Sequence, residues 1–322
     1  MAASNAPDYV PLGLQELRND LPLSCDLYVD KGGRYVLYRE SSLPFTRADC
    51  DRLLSSGINH LWAPLSKEGD RSGQRLSMLL ALPDEQLPPK AKAQVWYGSA
   101  MAIAKRAVVS TIAPETLADL YGLLGSTVSY LARSKSAFHT LVSATLHDHS
   151  TYTHAINVAV YSLGVGISTG VSEAGLRDLG LAAFLHDIGK TKIAREVLHK
   201  PGPLTAEEWV IMKQHPAWGK DILSTLDELP KDVLTVVSQH HERLDGMGYP
   251  RGVARENLHR FSQIVSIVDA FDAMTSDRCY AQARTPFAAL SLLRDEVGEK
   301  YDPHLFASLV LMLGNPRAVG HA

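Results

Sequence analysis

Beyond Lys90 the apolar residues recur at spacings of three and four. Leu117, Leu120, Tyr121 and Leu124 form one such stripe, and Phe261, Ile264, Val265 and Val268 form another. That spacing matches the turn of an α-helix and predicts helices nearly to the C-terminus. Pro114-Glu115-Thr116 marks a helix start, since proline suits the first turn and an early acid suits the helix dipole. Residues 179–185 predict an apolar helix running into His186. The first eighty residues follow another pattern. Leu27-Tyr28-Val29-Asp30 and Tyr35-Val36-Leu37-Tyr38 are strand-forming, and Lys31-Gly32-Gly33-Arg34 between them predicts a hairpin turn. Thr46 precedes a short helix over 47–56, Gly57 stops it, and 58–63 predicts one more strand. Residues 66–73 read as a polar loop. Pro83-Asp84-Glu85-Gln86-Leu87-Pro88-Pro89 reads as a linker or hinge. The expected fold is mainly α, with a small α+β N-terminal domain over 1–83 and a helical domain over 84–322.

Composition narrows this picture without identifying a chemistry. The 322 residues hold 32 Lys+Arg and 35 Asp+Glu, a net charge of −3 with histidine neutral, and 45% are hydrophobic. That balance excludes wholesale disorder and a fibrous repeat. It also argues against DNA as a partner, which would require a strongly basic face. Cys25, Cys50 and Cys279 lie far apart and form no C-x-x-C pair, so a reducing compartment without disulfides is expected. There is no signal-peptide pattern and no run of about 18 apolar residues. A soluble cytoplasmic protein without membrane insertion is the expectation.

Thirteen histidines remain to be sorted. The segment Leu185-His186-Asp187-Ile188-Gly189-Lys190 places His beside Asp. On a helix these lie about 100° apart, so both are expected to reach one inward point. Imidazole and carboxylate suit a borderline divalent metal, although a buried histidine held by a carboxylate would read the same way. His240-His241-Glu242-Arg243-Leu244-Asp245-Gly246-Met247-Gly248-Tyr249-Pro250 is harder to explain as packing. Two adjacent histidines are costly to bury unpaired and repel if protonated, and a metal resolves both problems. His154 and His215 alone suit hydrogen-bonded structural roles. Asp269 and Asp272 share an otherwise apolar helix face, where a carboxylate needs a partner. Together, His154, His186, Asp187, His215, His240, His241 and Asp269 are too many donors for one tetrahedral zinc. They suit two six-coordinate metals. Asp187, which lies between the two donor groups in the chain, is the predicted bridge.

With these segments in this order, the sequence resembles the HD-GYP family of metal-dependent cyclic-dinucleotide phosphodiesterases, part of the HD superfamily. The matching segments are His186 through Lys190, Lys200-Pro201-Gly202-Pro203-Leu204-Thr205, Lys213-Gln214-His215-Pro216, His240 through Pro250, and Asp269 through Tyr280. They span roughly 148–306. The resemblance implies an HD-type helical bundle in the C-terminal domain, a binuclear (sometimes trinuclear) metal centre, and hydrolysis of cyclic di-GMP to pGpG, GMP or both. It implies the same seven metal ligands, with Asp187 and Lys190 catalytic and Lys190 and Arg278 contacting phosphate. It also implies that Gly248-Tyr249-Pro250 serves the substrate or contacts partner proteins such as GGDEF-domain proteins. A homodimer belongs to the same set of expectations. Ser150 stands where three-metal members carry a glutamate, which favours two metals here. Ala281 stands where many members place a cation, for which Arg284 is the substitute. The N-terminal segment resembles small domains found ahead of HD-GYP domains, so a regulatory role is expected of it.

The expected mechanism is attack by a hydroxide activated by two metals, with Lys190 and Arg278 stabilising added negative charge. A metal-bound water or Lys190 would protonate the leaving 3′ oxygen. Iron or manganese leads among the metals, but cobalt, nickel and zinc suit the same donors. Two other readings stay open. One is a non-catalytic cyclic di-GMP receptor or adaptor acting through the GYP loop. The other is a mononuclear HD nucleotide phosphohydrolase, for which His215, His240 and His241 would be surplus.

Overall fold

The computed structural model describes residues 9–14, 26–40, 43, 45–64, 76, 79–80, 87–109, 112–134, 136–145, 151–226, 229–276 and 283–314. Strands β1 (Tyr9–Gly13), β2 (Leu27–Asp30), β3 (Tyr35–Arg39) and β4 (His60–Pro64) form an antiparallel sheet in the order β1-β4-β2-β3. The predicted hairpin is present as β2 and β3. Gly32 and Gly33 take φ of 69° and 87° in its turn, and the Gly33 N–H donates to Asp30 Oδ1 at 2.6 Å. Helix α1 (Arg47–Ser55) opens on a capping box, in which Thr46 and Asp49 satisfy each other's backbone N–H.

The hydrophobic pattern does not reveal β1. Its Tyr-Val-Pro-Leu-Gly carries a proline and a glycine, both poor strand residues. Pairing makes it a strand, from Tyr9 opposite Pro64 to Gly13 opposite His60. The Tyr9 ring also stacks on Tyr35 at 3.8 Å. The predicted loop over 66–73 lies outside the described residues, as do 83–86 of the predicted linker, and helix begins directly at Pro89.

Among the described residues the rest is mainly helical, as predicted. The helices are α2 (Pro89–Val109), α3 (Pro114–Arg133), α4 (Ala137–Thr145), α5 (Thr151–Ser168), α6 (Glu173–Leu185), α7 (Arg195–Leu198), α8 (Ala206–Met212), α9 (His215–Leu223), α10 (Lys231–Gln239), α11 (Arg260–Thr275), α12 (Pro286–Asp295) and α13 (Pro303–Gly314). Short 3-10 helices cover Ile188–Lys192 and Arg255–Asn257. The predicted stripes turn inward: Leu120 and Leu124 are buried on α3, and Ile264, Val265 and Val268 on α11. Helix α5 packs against α6 and α11, with Leu163, Leu179 and Ile267 fully buried. Leu27, Phe45 and Leu61 of the N-terminal region belong to the same continuous apolar cluster as these helices. Cys50 is buried and donates to the Leu14 carbonyl at 3.6 Å, whereas Cys25 and Cys279 lie outside the described residues. Among the described residues no helix is long and apolar enough to cross a membrane.

Candidate metal centre

Five elements converge on one buried point. His154 lies in the first turns of α5, His215 opens α9, His240 caps α10 with His241 just beyond, and Asp269 sits on α11. His186 and Asp187 reach one inward point, as predicted, but not from a shared helix. Helix α6 ends at Leu185, His186 caps it, and Asp187 turns at φ −96° and ψ 6° into the 3-10 helix Ile188–Lys192. Close backbone packing accounts for the difference. A Cβ on Gly189 would lie 1.9 Å from the His215 carbonyl oxygen and 2.6 Å from the Gly219 nitrogen. The chain therefore has to leave α6 at once to run against α9, and only glycine fits at that approach.

The turn lets Asp187 face two ways. Its Oδ1 lies 3.2 Å from His215 Nε2 and 3.9 Å from His240 Nε2. Its Oδ2 lies 3.4 Å from His186 Nε2 and 3.6 Å from His154 Nε2. Asp269 straddles in the same manner, with Oδ1 3.2 Å from His154 Nε2 and Oδ2 3.8 Å from His241 Nδ1. Asp187, His215, His240 and His241 bring donor atoms within 4.8 Å of one another, and so do His154, His186 and Asp269. All seven residues predicted from the sequence are thus gathered in one place.

The imidazoles are oriented before anything binds. His186, His215 and His240 place Nδ1 against the carbonyls of Ala183, Met212 and Val237 at 2.7, 2.7 and 2.8 Å. A carbonyl only accepts, so each Nδ1 donates its proton there and each ring turns Nε2 inward. His154 Nδ1 instead donates to Asp272 Oδ2 at 2.7 Å, and Asp272 Oδ1 accepts from Asn157 Nδ2 at 2.8 Å. His215 Nε2 and His240 Nε2 face each other at 3.1 Å. His154 Nε2, His186 Nε2 and Asp187 Oδ1 are buried without a hydrogen-bond partner. Acceptors crowded together without donors call for a cation. The residues present therefore fit divalent metal.

Electrostatics keeps the donors in their binding forms. Burial opposes ionisation of Asp187 and Asp269. Lys190 and His186 outweigh it for Asp187, and His154 for Asp269, so both carboxyls stay well below the usual range. Burial, reinforced by the neighbouring imidazoles, holds His240 well below its ordinary value, and burial takes His241 down to about 3. His154 is the exception. Burial would lower it, but Asp269 and Asp272 lift it to about 10.

Sequence reasoning missed four supporting residues. Asp272 backs His154; its spacing from Asp269 was visible, but its distant partner was not. Asn157 holds Asp272. Gly189 sets the approach to α9. Glu242 is buried yet takes no part in the donor cluster; its two oxygens accept from the backbone N–H groups of Arg251 at 2.8 Å and Val253 at 2.9 Å. It thereby closes the loop carrying Gly248-Tyr249-Pro250. Gly248 lets that loop fold back, since a Cβ there would lie 2.4 Å from the Glu242 Cα. The Tyr249 ring rests 4.7 Å from the His241 ring, with planes 31° apart. Lys190 Nζ donates to Asp187 Oδ2 at 2.5 Å. The Lys200–Thr205 segment positions α8: Lys200 binds Glu208 at 2.6 Å, and Glu208 and Thr205 form a capping box. Ser150, Arg278 and Ala281 lie outside the described residues, and Arg284 is exposed.

Comparisons with known proteins show what the chain is similar to. The sequence profile of the family described as HD domain matches residues 136–305. Cyclic di-GMP phosphodiesterase PA4108 of Pseudomonas aeruginosa is 28% identical over 283 residues, 84% of this chain and 68% of that protein. Cyclic di-GMP phosphodiesterase response regulator RpfG of Xanthomonas campestris is 41% identical over 142 residues, 44% of this chain and 38% of that protein. The 3'3'-cGAMP-specific phosphodiesterase 3 of Vibrio cholerae is 36% identical over 183 residues, and the match covers 56% of this chain and 39% of that protein. The chain thus spans about two thirds of the first and about two fifths of the other two. Among solved structures, Bd1817, an HDG"Y"P protein from Bdellovibrio bacteriovorus, superposes with a TM-score of 0.65. That match covers 96% of this chain and 100% of that one, at 19% identity, and speaks for the fold.

Proposed function

The chain belongs to the HD domain family, and from that premise we propose that it is a metal-dependent phosphodiesterase hydrolysing cyclic di-GMP to pGpG, GMP or both. The observation that carries this reading is the pair of carboxylates, Asp187 and Asp269, each turning its two oxygens toward different histidine groups. We assign one metal to His154, His186 and Asp269 and a second to His215, His240 and His241, with Asp187 facing both. Iron or manganese leads, and cobalt, nickel or zinc suit the same donors. Paired divalent ions in such a site make water nucleophilic at neutral pH and neutralise phosphate charge.

The chain's own groups do the rest. The fixed Nδ1–H bonds hold the imidazoles ready, so little reorganisation accompanies loading. Lys190 carries its ammonium beside Asp187, where it counters charge on a phosphate oxygen and serves as a candidate proton donor to the leaving 3′ oxygen. Arg278, by resemblance, adds a bidentate phosphate contact. Gly248-Tyr249-Pro250 flanks the entrance beside His241. A regulatory role for residues 1–83, a cytoplasmic location, a homodimer and GGDEF-domain partners through the GYP loop belong to the same proposal.

The test is hydrolysis. Protein loaded with iron, manganese, cobalt or nickel is incubated with cyclic di-GMP and, in parallel, 3'3'-cGAMP, and linear products are followed by chromatography. Turnover of cyclic di-GMP with about two metals per chain by elemental analysis is expected. No turnover with any of these metals overturns the enzyme reading, and one metal per chain overturns the binuclear assignment.

A further inference from the structure

Resting on that reading, we infer that the groove between α8 and Tyr249 is a purine-base subsite, with Trp209 as its stacking wall. The groove is open to solvent, offers about 520 Å³ and is lined by Ala206, Trp209, Val210, Lys213 and Tyr249. Its size falls in the range of small-ligand clefts, about 300–1,000 Å³. Trp209 is 47% exposed and Val210 64% exposed. An indole left facing solvent beside a polar centre is apolar surface waiting for a flat partner.

Placement identifies that partner. Tyr249, the opposite wall, lies ring to ring with His241 at 4.7 Å, so the groove begins one aromatic ring away from the donor cluster. In a cyclic dinucleotide each base is one sugar removed from a phosphate. A phosphodiester seated at Asp187 and Lys190 would have its base within reach of this groove. Lys213 Nζ lies 5.8 Å from the Tyr249 ring centre, adding a cation that suits the carbonyl edge of guanine. The α8 capping box and the Lys200–Glu208 pair keep Trp209 in place. Sequence inspection had no means of finding this wall, because Trp209 and Tyr249 belong to separate segments.

The experiment compares wild type with Trp209→Ala and Trp209→Phe at equal metal content. Alanine is expected to raise KM for cyclic di-GMP about tenfold, more than it lowers kcat, and phenylalanine to restore most of the affinity. Cyclic di-GMP is also expected to quench tryptophan fluorescence in wild type, and Trp209→Phe to remove that quench. An unchanged KM in Trp209→Ala overturns the subsite. So does an altered sedimentation state in Trp209→Ala without a KM effect, which would mark the face as a protein contact. If wild type quenches through Trp209 without turnover, the hydrolysis reading falls and the base subsite stands. If turnover occurs with KM and quenching independent of Trp209, the subsite falls and the hydrolysis reading stands.

Discussion

Asp49 in α1 is a buried carboxylate and Asp187 at the head of the 3-10 helix a largely buried one, and their surroundings treat them in opposite ways. Asp49 is closed on every side. Its Oδ2 takes the Thr46 N–H at 3.0 Å and the Thr46 hydroxyl at 2.7 Å, while Oδ1 takes Arg39 at 2.5 Å and also Arg52. Asp187 accepts one side-chain hydrogen bond, from Lys190 on Oδ2. Its Oδ1 is buried without a hydrogen-bond partner and faces the Nε2 atoms of His215 and His240. A saturated carboxylate stabilises a fold. An unsaturated one facing imidazole rings costs stability and is retained where a ligand completes it. The two ends of this chain therefore differ in purpose at the level of single oxygen atoms.

The sharpest test of the contrast is Asp187→Ala. Activity should fall at least about a thousandfold, beyond the 10–100-fold typical of residues behind the ligands, and elemental analysis should find fewer metals per chain. Survival of activity would remove Asp187 from its bridging role. Gly189→Ala comes next, because its Cβ would collide with the His215 carbonyl at 1.9 Å. A loss of about 3 kcal/mol in urea unfolding, together with poor metal retention, is expected.

Asp272→Asn keeps the shape behind His154 but removes the negative charge. Metal affinity should drop about 10–100-fold, read by competition with a chelating dye, while urea stability in the absence of metal changes less. Equal affinity would mean that Asp272 only fills space.

Asp49→Asn should leave turnover intact and cost about 2 kcal/mol of stability at pH 7. Burial alone would raise the Asp49 carboxyl, but the Thr46 bonds and Arg39 hold it below its ordinary value. Its contribution is therefore present above the unfolded carboxylate value of about 3.9 and is lost as pH falls through the lower folded one. The gap between wild type and variant should stay level from pH 7 to 5 and narrow below about pH 4. A gap that widens on acidification would contradict this sign.

Much of the site was legible because its donors are rare residues in short runs. His186-Asp187 and His240-His241 stand out, and their order with His154, His215 and Asp269 pointed to a metal pair before any geometry was known. Illegible were the partners. Glu242 looked like one more acid beside the histidines, yet it serves the loop backbone. Asp272 looked like a companion of Asp269, yet it serves His154, 118 residues away in the chain.

The sequence by itself determined the helical spacing, the β2–β3 hairpin, the helix start after Thr46 and which seven residues were proposed as metal donors. Each of these depends on neighbours within a turn or two, where propensity and short-range hydrogen bonding act. Tertiary structure alone decided that Tyr9–Gly13 is a strand, that His186 and Asp187 leave the helix, and that Asp187 presents separate oxygens to separate histidine groups. It also brought Trp209 into the same groove as Tyr249. Those outcomes depend on distances of a few ångströms between segments far apart in the chain, which only the pairing of β1 with β4, the seating of α8 and the packing of α5, α6, α9 and α11 set.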